Sequence, residues 1–163
     1  MARLACRPVL IEALVAGLFL SPLASPHDER ELVALPPPPV SRVVSSDLGL
    51  DVPVIDTYTD CSRGTEVTHA GAEIDACLPG HDAYFIGHNP GPFTPLMDAQ
   101  VGTRITYYDA NGLPHDYRVV SVRAWMARWG APPFTESGVT AQFQTCITLD
   151  GTWDRILDVA TAG

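Results

Sequence analysis

The sequence predicts an all-β domain, a closed β-barrel of about seven to eight strands with short helices confined to its loops. Three observations carry this. Fifteen prolines and thirteen glycines among 163 residues favour turns over long helices. No long amphipathic helical pattern occurs after residue 30. Short apolar or alternating segments recur instead, separated by turn signals.

In chain order, Leu48, Leu50, Val52 and Val54 alternate with Gly49, Asp51 and Pro53, a pattern that suits a first or edge strand. Tyr84-Phe85-Ile86 is a short apolar run stopped by Gly87. Phe93–Ala99, set off by Pro92, reads as one helical turn or a short helix. Thr103–Tyr108 and Tyr117–Val122 are rich in β-branched and aromatic residues, and Asp109-Ala110-Asn111-Gly112 between them is a hairpin signal. Gln142–Leu149 alternates, with Phe143, Thr145, Ile147 and Leu149 on one face and Gln142, Gln144, Cys146 and Thr148 on the other. With the first set turned to the core, Cys146 faces away from it. Trp153–Val159 forms a last strand with Trp153, Arg155, Leu157 and Val159 in phase.

Residues 1–26 read as a signal peptide or N-terminal membrane anchor. Arg3 and Arg7 precede Val9–Leu23, roughly 15 apolar residues, short of the about 20 of an ordinary membrane span. Cleavage and retention both stay open. Residues 27–45, with the four-proline run Pro36–Pro39, read as an extended, semi-rigid linker, and 46–163 as the folded domain. Export places the domain outside the cytoplasm. Ten basic residues, all arginine, stand against nineteen acidic ones for a formal charge of −9, with no basic cluster. Nucleic acid is therefore not an expected partner, and the absence of lysine excludes Schiff-base chemistry.

Cys6 precedes the apolar run, so an exported, cleaved chain keeps Cys61, Cys77 and Cys146. Three pairings are possible. Cys61–Cys77 closes the shortest loop, a bridge worth about 3 kcal/mol in a chain-entropy model, and it leaves Cys146 over as a candidate nucleophile. Two structural thiols are an alternative. A metal site from Cys61, His69, Asp75, Cys77, His81 and Asp82 is another, but Cys-x15-Cys-x3-His lacks the short paired gaps of zinc modules. No metal or other cofactor is expected. A thiol nucleophile needs a base nearby. His88, at the mouth of a predicted strand and before the loop Asn89-Pro90-Gly91-Pro92, is the best placed of the five histidines.

Four segments read together resemble the sortase family. They are Phe85-Ile86-Gly87-His88-Asn89; Phe93-Thr94-Pro95-Leu96 leading to Val101–Ile105; Tyr117–Val122; and Thr145-Cys146 followed by Trp153-Asp154-Arg155-Ile156-Leu157. The resemblance covers roughly residues 46–160. It implies Cys146 as nucleophile, His88 as proton-transfer partner and Arg155 as the third member, steadying an oxyanion or holding substrate carbonyls. Thr145 is implied as a helper in substrate positioning. Trp125, Trp129 and Phe134 fall in the segment that resembles the loop shaping the substrate pocket, where they form either an apolar wall for substrate or ordinary core. The implied activity is cleavage of a Leu-Pro-x-Thr-Gly-like C-terminal sorting signal through a thioester, with transfer to an amine of a cell-wall precursor or pilin. A secreted thiol hydrolase on the same scaffold and a non-catalytic sortase-like binding module are the alternatives. Gln142 and Gln144 depart from the family's signature strand.

Overall fold

A computed structural model describes residues 40–61, 67–78, 80, 82–134 and 137–163. The leader and most of the linker lie outside these residues, as does His81. Eight strands close into a barrel: β1 (Arg42–Ser45), β2 (Leu50–Tyr58), β3 (Ala72–Asp75), β4 (Ala83–Ile86), β5 (Arg104–Tyr108), β6 (Pro114–Met126), β7 (Val139–Cys146) and β8 (Trp153–Thr161). Their order around the barrel is β1-β2-β3-β4-β7-β8-β6-β5. Two 3-10 turns, Thr94–Asp98 and Ala127–Trp129, complete the described secondary structure. Among the described residues no helix is long and apolar enough to cross a membrane.

Alternation builds the core. Leu50, Val52 and Val54 turn inward from β2 while Asp51 and Pro53 turn out. Phe143 of β7 stacks on Phe85 of β4, ring centroids 4.5 Å apart and planes 8° from parallel. Leu157 and Val159 pair with Phe143 and Ala141 across β7–β8 and complete this inner layer. The 3-10 turn enters the same core through Phe93, Leu96 and Ala99. The β5–β6 hairpin closes where expected, because the Asp109 carboxylate accepts from the amides of Asn111 (2.8 Å) and Leu113 (3.0 Å) and Gly112 takes φ +78°.

The strands depart from the sequence reading in three places. β1 occupies Arg42–Ser45, so the barrel begins inside the segment assigned to the linker. β3, between the two cysteines, is an additional strand. β7 starts at Val139 and stops at Cys146, and Ile147 and Leu149 are exposed rather than in the core. There the chain turns on Asp150, whose carboxylate accepts from Thr148 Oγ1 (2.6 Å) and the Thr152 amide (2.9 Å). Cys61 and Cys77 form a disulfide, with Cα atoms 5.4 Å apart, and it ties the end of β2 to the turn after β3. Both sulfurs are thus committed, which removes the metal alternative.

Candidate active site

Parallel pairing of β4 with β7 sets Ile86 beside Gln144. The ladder runs one step further, Gly87 N–H donating to the Gln144 carbonyl at 3.2 Å. Two residues past that pair, His88 and Cys146 emerge at the same level at the end of the two strands. The Asn89 side-chain amide donates to the Cys146 carbonyl at 2.8 Å and clips the loop after His88 to the strand end. The motif alone assigns Asn89 no role. Its amide beside the proposed base is the signal that points to one.

Cys146 lies on the outer face of β7, as the alternation predicts, yet it is fully buried among Val67, Tyr84 and Ile86. It is not left over as the cysteine count implied, since its sulfur is disulfide-bonded in the structure. Thiol chemistry at this position begins with reduction.

His88 is buried. Its Nε2 lies 2.6 Å from the Val67 carbonyl, which can only accept, so Nε2 carries the hydrogen and Nδ1 is the basic nitrogen. Nδ1 has no partner and no solvent contact. The exposed His69 ring stacks over His88, centroids 3.9 Å apart. Burial lowers the His88 pKa below its ordinary value; the Val67 bond opposes this and His69 adds to it. The resting ring is therefore neutral at pH 7, as a base requires.

Arg155 stands elsewhere. Antiparallel register pairs Thr145 with Arg155 and Cys146 with Asp154. Directly opposed residues share a face and successive residues alternate, so Arg155 lies with Thr145 on the inner face and Asp154 with Cys146 on the outer. The Arg155 guanidinium donates to the carbonyls of Leu96 (3.1 Å) and Ala99 (2.7 Å), bracing the 3-10 turn. Thr145 is buried with its hydroxyl unpartnered.

The aromatic residues form an edge-to-face chain. Trp125 meets Trp129 at 5.2 Å, and Trp129 meets Trp153 at 5.7 Å. Trp125 donates its indole N–H to the Gly130 carbonyl at 2.8 Å. Trp129 is half exposed and Phe134 partly buried, so these rings line the surface beside β6 and β8 rather than the barrel core. The outer face of β7 and β8 is polar below Cys146. Tyr84 O–H donates to Gln144 Oε1, and Gln142 Nε2 and Arg123 both donate to the buried Asp158.

No family model and no curated protein matches the chain by sequence. Solved structures do match by fold. Streptococcus agalactiae sortase C1 superposes with a TM-score of 0.58 at 16% identity, over 76% of this chain and 67% of that one. Listeria monocytogenes sortase A gives 0.56 at 15% identity, over 76% and 87%. Streptococcus pneumoniae sortase C gives 0.61 at 14% identity, over 76% and 68%. At these identities the likeness is one of architecture, and the chain has the sortase fold.

Proposed function

We propose that the protein is a sortase-type acyl-transfer enzyme in which Cys146 is the nucleophile and His88 the proton carrier. The observation that carries this reading is the convergence of the two residues at the ends of the paired strands β4 and β7, with the basic nitrogen of His88 buried and unpartnered beside them. The reduced Cys146 thiol gives its proton to His88 Nδ1 and the sulfur bonds to a peptide carbonyl carbon. The carbonyl re-forms as the C–N bond breaks, and the imidazolium returns the proton to the departing amine. A second amine attacks the thioester, loses a proton to His88, and frees the thiol. Arg155 serves as a positioning residue through the Leu96 and Ala99 carbonyls.

The substrate we propose is a Leu-Pro-x-Thr-Gly-like sorting signal of surface proteins, with a cell-wall or pilin amine as acceptor. The exposed Trp129 edge beside Trp125 offers the apolar contact that a Leu-Pro segment needs. The Cys61–Cys77 disulfide supports an extracytoplasmic site of action, with the N-terminal segment as signal or anchor.

Intact-mass spectrometry of the reduced protein with a panel of such peptides, without an amine, tests the reading. The expected product is an acyl adduct on Cys146, absent in Cys146→Ala and slowed about 100-fold or more in His88→Ala. An added amine should release it. Release by water at the same rate with or without amine would favour the hydrolase, and no adduct with any peptide would leave a binding module.

A further inference from the structure

Resting on the reading of Cys146 as nucleophile, we propose that the Asp154 carboxyl is the oxyanion donor of this site. Its Oδ1 hydroxyl donates to the carbonyl oxygen that gains negative charge as Cys146 attacks.

The register comes first. Asp154 is the cross-strand partner of Cys146. Directly opposed residues of an antiparallel pair hold their Cβ atoms about 5 Å apart on one face. Arg155, the cation expected in this role, is on the other face, with Nε and Nη2 donating to the Leu96 and Ala99 carbonyls. The second observation is a polar atom without a partner. Asp154 is 2% exposed and its Oδ1 makes no hydrogen bond.

The neighbours decide which oxygen carries the proton. Tyr84 O–H donates to Gln144 Oε1, which leaves the Gln144 amide N–H groups to donate onward. Gln144 acts on the Asp154 carboxyl in the sense that lowers its pKa, and Oδ1 is the buried oxygen that makes no hydrogen bond. The proton therefore belongs on Oδ1, where it lacks an acceptor until substrate supplies one. Burial raises the Asp154 pKa to about 7, the Gln144 bond opposing, so a large share of the protein holds the neutral acid at neutral pH. A neutral buried acid is a competent oxyanion donor, whereas a carboxylate there would repel both thiolate and oxyanion.

Aromatic and titratable side chains surround Asp154 on the neighbouring strands. Across β6 come Trp125, its direct partner, and Arg123, which is bonded to Asp158 of β8 at 3.1 Å. From β4 comes Tyr84, whose pKa is raised by burial first and then by Asp154, and Asp75 of β3 acts on Tyr84 in the same sense. His88 completes the set beyond β4. None of these is an unengaged cation able to hold Asp154 ionised.

Two reactions of the reduced full-length protein separate the roles. Alkylation of Cys146 by iodoacetamide needs a thiolate but forms no oxyanion. Acylation by a small activated ester, p-nitrophenyl acetate, needs both. The measured quantity is the ratio of the two rates at Cys146, read by mass. Asp154→Ala should lower the ratio about 100-fold, while Asp154→Asn, which keeps an N–H donor, should hold it within about tenfold. In the parent the ratio should fall as pH rises through about 7, and in Asp154→Asn it should stay level. Alkylation at the parental rate in either variant reports an intact site. An unchanged ratio in Asp154→Ala, or a parental ratio flat across pH 7, overturns the proposal. Sorting peptides are absent from this test, so a wrong peptide substrate fails separately, while inert ester with normal alkylation overturns the oxyanion role itself.

Discussion

The charge on Asp154 is tied to stability as well as to chemistry. Its folded pKa of about 7 stands above the ordinary 3.8 because burial disfavours the carboxylate. Between those values the native protein holds a proton that the unfolded chain has released. The resulting stabilisation is fully present below about pH 4 and is lost as pH rises through 7. Asp154→Asn has no such titration. Relative to the parent, it should gain on the order of 2–4 kcal/mol between pH 4 and pH 8, read from denaturant midpoints at the two values. A variant-to-parent difference that is the same at both pH values would show that the carboxyl titrates normally. His88 runs in the opposite direction. Its lowered pKa gives stability that is present above pH 6.5 and lost as pH falls through the folded value. His88→Gln should flatten the acid side of the thermal-unfolding profile.

Gly87 shows how an element's packing sets the placement of the base. A Cβ at this position would lie 2.5 Å from Cγ of the buried Phe93 ring. Gly87→Ala therefore forces the ring or the strand end to move, at about 1–3 kcal/mol, and it displaces the residue that precedes His88. It should lower Cys146 acylation while β7 stays intact. Phe143→Ala instead removes the ring stacked on Phe85 and should cost about 3–5 kcal/mol by chemical denaturation. Much at this scale was legible in the sequence. The β5–β6 hairpin follows from Asn111-Gly112, and the outward face of Cys146 follows from its alternation with Phe143. The short strands β1 and β3 were not legible. Four residues beside a proline run, and four more inside a cysteine loop, carry too little periodicity to stand out. The position of Arg155 is legible as well. It is in phase with Leu157 and Val159, both core residues, while Cys146 is out of phase with Phe143. The two phases already put Arg155 and Cys146 on opposite faces, and a motif match does not carry that information.

Over the whole molecule, the site depends on two parallel pairings, β2 with β3 and β4 with β7, each requiring a crossover that local sequence patterns do not encode. The first crossover carries Val67 and His69, which hold the His88 ring by a hydrogen bond and by stacking. The Cys61–Cys77 disulfide closes that crossover across 16 residues, so it braces the cover of the base as well as the fold. Replacing both cysteines with serine should cost about 3 kcal/mol in the chain-entropy model. It should also let water reach His88. Because burial is the main cause of the lowered His88 pKa, the imidazole should then titrate closer to 6.5, seen by NMR of the ring protons in parent and double variant. A loss of stability with an unmoved His88 titration would mean that Val67 and His69 are held by the barrel itself. A loss accompanied by the upward shift would make the disulfide part of what keeps the base neutral.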